Sequence, residues 1–504
     1  MALMILWVSL MEECDCMNFN DFKFDDGLVI DGLTEELTAF YVLECFRKSE
    51  KSVLVVMGSL YDANKFYQVI NAYTNEAYLF LMDDFFTAAS LSVSPELKLK
   101  RLETLEKINE GPVIVITNLM GYLKLLPPKD VQDTLKVKLT KNMQISRDSL
   151  VAKFDMMGYE RDSMVTSTGE YAVRGFVLDI FLTQEDNPIR IEFFGDVIES
   201  IRYFDPETQR TAEIEFISCL PITLAQTDEY NSLLDYMPEA KTIYFDYSQI
   251  NAMYEKLLVE SRAYDEEQGN GYQKHFYSFD EIKPAEKIYI NTIDTDNSKN
   301  VVHYHTSEIT NFKGDYDLLQ KFVNTQLIKN NTIVFVLNTK RQIEDIKHLF
   351  PTANVVHDKV LKNVAVNIIE GDLFKGFKWN SYIYISPYDV EEVKKEIKYK
   401  NNLHIGQRVR ALDALEIGDY VVHRAHGIGI YAGVVTLKVQ GLKKDFLQIS
   451  YFGNDKVYIP VEKISSIYKY SDKDGMKPQI NKLGSTNWER KKREVQKKIK
   501  DISG

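Results

Sequence analysis

The chain has 504 residues, 45% of them hydrophobic and 27% charged, with a formal net charge of −13. At about 100–200 residues per domain it is too long for a single core, and its composition excludes disordered and fibrous classes. The acidic balance excludes a global electrostatic pull toward nucleic acid, so contact with DNA falls to a local basic patch or to a segment outside the chain.

Residues 1–10, MALMILWVSL, are apolar but lack a basic n-region and a small-residue cleavage site. They fall short of the roughly 20 apolar residues that span a bilayer. They read, in order, as a buried strand, as residues ahead of a misassigned start (Met11 or Met17 would serve), or as a signal peptide. Residues 1–16 are set apart as an extension, and no transmembrane segment is expected anywhere. The four cysteines are Cys14, Cys16, Cys45 and Cys219. Only the first two are close, and no second pair or histidine spacing completes a zinc site, which fits a reducing cytoplasm.

From residue 17 to about 130 the pattern is α/β. Residues 52–57 and 112–117 are fully apolar strands, and 76–82 is a third. Between them, residues 60–73 place Ala63, Phe66, Tyr67 and Ile70 on one helical face. Ser94-Pro95-Glu96 supplies an N-cap, a first-turn proline and an acidic first turn for a helix through Ile108. Such alternation means a parallel sheet covered by helices. A nucleotide phosphate would sit at the strand-to-helix turn Met57-Gly58-Ser59-Leu60-Tyr61-Asp62-Ala63-Asn64-Lys65. The pattern G-x-x-x-x-G-K-[ST] is absent there: no second glycine occurs, and Lys65 is followed by Phe66. The domain reads as an eroded, RecA-like/UvrB-like nucleotide fold, with Lys65 a solvated helix lysine. No catalytic residue, bound ATP or metal is expected. Asp83-Asp84 reads as a loop or cap, and His303/His305 and His423/His426 as structural histidines, each pair lacking a third ligand.

Residues 131–215 read as an α+β insertion. Ser146 caps a helix ending at Gly158; strands follow at 172–181, 189–194 and 197–203, with Gly195-Asp196 as a tight turn. Residues 216–300 carry a mixed signal, broken at Gly269-Asn270-Gly271, and are assigned to the return of the first domain. A second small α/β domain spans 301–390, with strands at 332–337, 364–369 and 381–385 and a helix at 341–350. Residues 391–414 are a charged linker.

Residues 415–470 change rhythm again. Short Val-, Ile- and Tyr-rich runs alternate with glycine turns at Gly427-Ile428-Gly429, Gln440-Gly441 and Gly453-Asn454-Asp455. That is the pattern of a small, strongly bent antiparallel barrel of SH3/Tudor type, whose open edge can accept a strand from another protein. Residues 471–504 continue as a linker and a basic helix at 488–502. Val495, Ile499 and Ile502 on that helix ask for a partner beyond the chain.

Two stretches carry a family resemblance. Residues 418–460, with Lys482-Leu483-Gly484 and Trp488, resemble the RNA-polymerase-interacting domain of bacterial transcription-repair coupling factors, also found in CarD-type regulators. The second begins at Gly169-Glu170-Tyr171-Ala172-Val173-Arg174-Gly175 and runs through Asp179-Ile180-Phe181, Arg190-Ile191-Glu192-Phe193-Phe194 and Ser200-Ile201-Arg202-Tyr203-Phe204-Asp205 to Gln209-Arg210-Thr211. It is similar to the UvrB-homology module of the same family. Ser94-Pro95-Glu96-Leu97 with Arg101-Leu102-Glu103-Thr104-Leu105 resembles the family's first domain.

The resemblance implies two partners: UvrA, contacted through Arg174, Arg190 and Phe194, and the RNA polymerase β subunit, gripped through Leu437 with Thr436 and Lys438. Read as residues alone, the arginines serve equally as surface ion-pair members, and Phe194 and Leu437 as core. The family's ATP- and magnesium-dependent DNA-translocating motor has no counterpart motif here, so whether this chain is an enzyme stays open. Arg490, Lys491, Lys492 and Arg493 are DNA-contact candidates, or else a solvated helix face leading toward that motor. The alternatives are a UvrB-like repair helicase and a free-standing CarD-like regulator.

Overall fold

The structure is a computed structural model. It describes residues 21–82, 95–163, 165, 168–185, 187–204, 211–267, 269, 273–292, 300–356, 366–391, 420–423, 427–439, 442–451, 455–460 and 467–469. Ser94, Asp83-Asp84, the linker and the basic terminal helix, with Arg490, Lys491, Lys492 and Arg493, therefore lie outside the described residues.

The apolar runs Val53–Met57 and Ile114–Asn118 are buried at every position, as central strands covered on both faces must be. They sit inside a seven-stranded sheet in the order Val301–His303, Leu28–Asp31, Glu286–Asn291, Lys241–Phe245, Val53–Met57, Ile114–Asn118, Ala77–Phe80. Every neighbouring pair is parallel. Two of the strands come from the segment with the mixed pattern, and Val301–His303 adds itself at the edge beside Leu28–Asp31. The helix Leu60–Asn71 starts at Ser59, whose hydroxyl accepts from the Asp62 amide, and buries Ala63, Phe66 and Ile70. The helix Pro95–Glu110 is tied to the sheet where the Thr104 hydroxyl donates to the Leu79 carbonyl at 2.7 Å.

The chain divides into two compact units, one of Met1–Ser92, Glu103–Leu126 and Tyr230–Glu396, the other of Val93–Leu102, Pro127–Glu229 and Ile397–Gly504. The first unit holds a second, six-stranded mixed sheet in the order Thr306–Glu308, Phe377–Trp379, Tyr382–Ile385, Thr332–Leu337, Val366–Glu370, Asn354–Val355. Within this unit the Phe22 ring stacks on Trp379 at 5.1 Å, and the Phe374 amide donates to the Tyr73 hydroxyl at 3.1 Å.

In the second unit, the helix Arg147–Met156 is capped by Ser146 as expected. Beside it runs a six-stranded sheet in the order Thr211–Glu213, Val197–Phe204, Ile189–Phe194, Val177–Ile180, Glu170–Arg174, Glu160–Arg161. The strand expected over 172–181 is instead a hairpin. Arg174 pairs with Val177, and Gly175 takes φ +58° between them, a backbone that a β-carbon resists. Arg174 therefore ends its strand rather than beginning one.

The same unit carries a five-stranded antiparallel sheet in the order Lys456–Pro460, Leu442–Ser450, Gly427–Val439, Tyr420–His423, Ile467–Lys469. Its core is Val421, Tyr431, Leu447, Ile449, Tyr451 and Ile459. Gly427-Ile428-Gly429, expected as a turn, lies within the long strand. A β-carbon on Gly429 would stand 2.6 Å from the Ile449 Cγ2, so glycine is required there for close approach rather than for a corner.

Candidate functional site

Side-chain alternation builds the first site. Ile189, Ile191 and Phe193 face the core with Tyr171, Leu178 and Ile180, so Arg190, Glu192 and Phe194 must face the other way. Pairing carries that parity across the sheet. Ala172, Asp179, Arg190 and Arg202 form one row, and Arg174, Val177, Glu192 and Ser200 form the next, two residues along. Arg174, Arg190 and Phe194 thus lie on one outward face. Arg174 and Arg190 are two strands and two residues apart, about 12 Å between α-carbons.

Each is held differently. The Arg190 Nε and Nη2 donate to the two Asp179 carboxylate oxygens at 2.7 and 2.8 Å, and the guanidinium lies 4.6 Å over the Phe204 ring. The Asp179 carboxylate holds the Arg190 guanidinium charged above its ordinary range. Arg174 is exposed, and its Nε and Nη2 donate to the Ser163 carbonyl at 3.2 and 2.7 Å. Phe194 is 79% exposed, which removes the core reading for that ring. Beside them the Ser200 hydroxyl donates to Glu192 at 2.7 Å, and Arg202 pairs with the same carboxylate. Sequence reasoning missed Asp179 and Phe204, the two groups that fix Arg190. Their signal was present: both share its parity, on neighbouring strands.

The second site is the long strand of the five-stranded sheet. Its neighbour Tyr420–His423 pairs only with residues 427–430, so residues 434–439 run on beyond that strand while pairing with 442–447 on the other side. Thr436 is exposed and pairs with Asp445; Leu437 pairs with Lys444, and Lys438 with Lys443. Val434, 48% exposed, pairs with the core residue Leu447.

At the strand-to-helix turn of the parallel sheet the helix start is capped by the chain's own groups. The Ser59 hydroxyl donates to Asp62 at 2.6 Å, placing a carboxylate at the first helical turn, where a phosphate would otherwise be favoured. The Met253 sulfur lies 3.0 Å from where a Gly58 β-carbon would stand. Lys65, expected to be simply solvated, pairs with Glu35 at 2.8 Å. His303 Nδ1 contacts Asp31 at 2.6 Å, a structural pairing rather than a ligand set. Among the described residues no group of three His, Cys, Asp or Glu is placed to hold a metal. Burial pushes the thiols of Cys45 and Cys219 up to about 12, which leaves both as inert core groups. Among the described residues no helix is long and apolar enough to cross a membrane.

Two stretches of the chain match known families. Residues 137–223 match the family described as the UvrB interaction domain, and residues 415–471 match the CarD-like/TRCF RID domain. Over nearly its full length the chain is similar to transcription-repair-coupling factors. That of Bacillus subtilis strain 168 is 26% identical across 96% of this chain and 49% of its own length. That of Staphylococcus epidermidis ATCC 12228 is 26% identical across 95% and 48%, and that of Staphylococcus aureus MRSA252 is 26% identical across 99% and 50%. The chain spans about half the length of the curated relatives it matches.

Proposed function

We propose that this chain is the adaptor part of a coupling factor in transcription-coupled nucleotide excision repair, acting in the bacterial cytoplasm. One end recruits UvrA through Arg174, Arg190 and Phe194. The other docks on the RNA polymerase β subunit through the strand bearing Thr436, Leu437 and Lys438. In this reading the parallel sheet is a degenerate RecA-like/UvrB-like domain and the five-stranded sheet an SH3/Tudor-like, CarD-type barrel. ATP hydrolysis with magnesium and translocation on DNA are activities of whole coupling factors, and Arg490, Lys491, Lys492 and Arg493 are the DNA contacts proposed for this chain. A UvrB-like helicase is disfavoured by the turn at Gly58, where Asp62 and Met253 occupy the approach a nucleotide would need.

The observation that carries the proposal is the gathering of Arg174, Arg190 and Phe194 on one outward face within the UvrB interaction domain. The test is co-purification of the chain with UvrA and, separately, with RNA polymerase. The double substitution Arg174→Ala, Arg190→Ala should abolish UvrA capture and leave polymerase capture intact, since loss of an interfacial charge partner typically costs about 2–5 kcal/mol. Equal UvrA capture by the double variant removes this site.

A further inference from the structure

Among the described residues the exposed phenylalanines are Phe176, Phe194 and Phe216. Two of them share one end of the six-stranded sheet. Phe194 closes Ile189–Phe194 at the Gly195-Asp196 turn; Phe176 is the second residue of the Gly175-Phe176 turn between Glu170–Arg174 and Val177–Ile180. Because successive strands reverse direction, both turns stand at the same end. Val177 pairs with Glu192, and the Phe193 amide donates to the Phe176 carbonyl at 2.9 Å. The α-carbons of Phe176 and Phe194 are therefore about 6 Å apart.

A single apolar side chain on a surface is ordinary. Phe176 differs in how it is held. Its ring is 69% exposed, yet its turn is fixed on both sides: Arg147 donates to the Gly175 carbonyl, and the Phe176 carbonyl is taken by Phe193. A ring presented on a fixed backbone gives up little conformational freedom when a partner covers it. Two residues earlier, Arg174 donates only to the Ser163 carbonyl, and among the described residues no carboxylate pairs with it. Arg190 and Arg202, by contrast, are already neutralised by Asp179 and Glu192.

We infer that Phe176, standing at the same end of the sheet as Phe194, is a further anchor for UvrA, the two rings entering an apolar socket on the partner whose rim carries a carboxylate for Arg174. Charge complementarity selects the occupant: two exposed rings beside an uncompensated guanidinium fit an apolar surface edged with acid. The inference rests on the UvrA reading proposed above, and the variants are chosen to separate the two.

The experiment measures binding of purified UvrA to the immobilised full chain by biolayer interferometry, together with thermal melting of each variant. Phe176→Ser should raise Kd at least about tenfold, mainly through faster dissociation, with unchanged melting because the ring is exposed. Phe176→Leu should recover part of the loss. If Arg174→Ala weakens UvrA binding while Phe176→Ser stays within twofold of the parent, the site stands and the role of Phe176 falls. If neither variant changes binding, the UvrA reading fails and takes this inference with it. Lower melting of Phe176→Ser would mark a structural residue, and a concentration-dependent dimer abolished by Phe176→Ser would make a second copy the occupant; either result overturns the assignment.

Discussion

Asp179 touches no proposed partner, yet the structure makes it the residue on which Arg190 depends. Asp179 is 5% exposed, the Arg190 side chain 27%, and the two share a fork of bonds at 2.7 and 2.8 Å. Screened surface pairs contribute about 0–1 kcal/mol, whereas stripping one partner from a buried pair costs about 3–5 kcal/mol. This pair is intermediate, because the acid is buried while the guanidinium reaches water and keeps the Phe204 ring beneath it. Asp179→Ala should therefore destabilise the sheet locally by about 2 kcal/mol, with Asp179→Asn falling between the two.

Hydrogen exchange read by mass spectrometry on the full chain tests this without assuming a single unfolding transition. A loss of about 2 kcal/mol accelerates exchange roughly thirtyfold in Ile189–Phe194 and Val177–Ile180, since each 1.36 kcal/mol is about a factor of ten. Peptides from Glu35–Ser49, in the other compact unit, serve as the unchanged control. The difference should survive 0.5 M salt, because a pair this enclosed is poorly screened. UvrA affinity should fall as well, although neither arginine has been touched, because the fork is no longer aimed. Acceleration below threefold, or its disappearance in salt, would show a loose surface pair and refute the reasoning.

Leu437→Arg should weaken capture of the polymerase β subunit by about thirtyfold or more, the scale of losing an interface anchor, while exchange in Leu442–Ser450 stays slow. Faster exchange there would instead place Leu437 in the core. In the small mixed-sheet domain, burial pushes the Asp389 carboxyl above its ordinary value, although its oxygen accepts from the Gly376 and Ser386 amides at 2.7 and 2.8 Å. A carboxyl raised on folding holds its proton more tightly in the folded state. Its contribution is most favourable at low pH and declines as pH rises from the unfolded carboxylate value, about 4, through the higher folded one. Asp389→Asn should therefore gain stability relative to the parent between about pH 4 and pH 7 in urea titrations. A difference flat across that range would count against the assignment.

How much of this was legible depends on the kind of information each element carries. The Ser146 cap, the alternation through Ile189–Phe194 and the Gly195-Asp196 turn are local patterns, and the structure holds them where the sequence places them. The Gly175-Phe176 hairpin was hidden because apolar residues resume at Phe176-Val177-Leu178 directly after Arg174-Gly175, and phenylalanine is not a turn signal. Gly427-Ile428-Gly429 misled in the opposite sense: glycine density suggested a corner, but Gly429 answers to Ile449, twenty residues away in sequence. The order of the parallel strands depends on pairing between distant segments. Periodicity within one segment does not encode that.

The parallel sheet itself has a role that its turn chemistry helps to define. At its strand-to-helix turn the Ser59 hydroxyl donates to Asp62, the Met253 sulfur stands close to Gly58, and Lys65 pairs with Glu35. What the sheet retains is rigidity, with seven parallel strands fully buried at the centre. Leu126 and Asn231 exchange both backbone hydrogen bonds, at 2.9 and 2.7 Å, so the two chain segments that flank residues 127–230 lie side by side. The groups proposed to meet UvrA, with Arg174 and Phe194 on the outward face and Phe176 at the same end of the strands, are carried by a sheet that has its own buried core, so their presentation depends on that core staying packed.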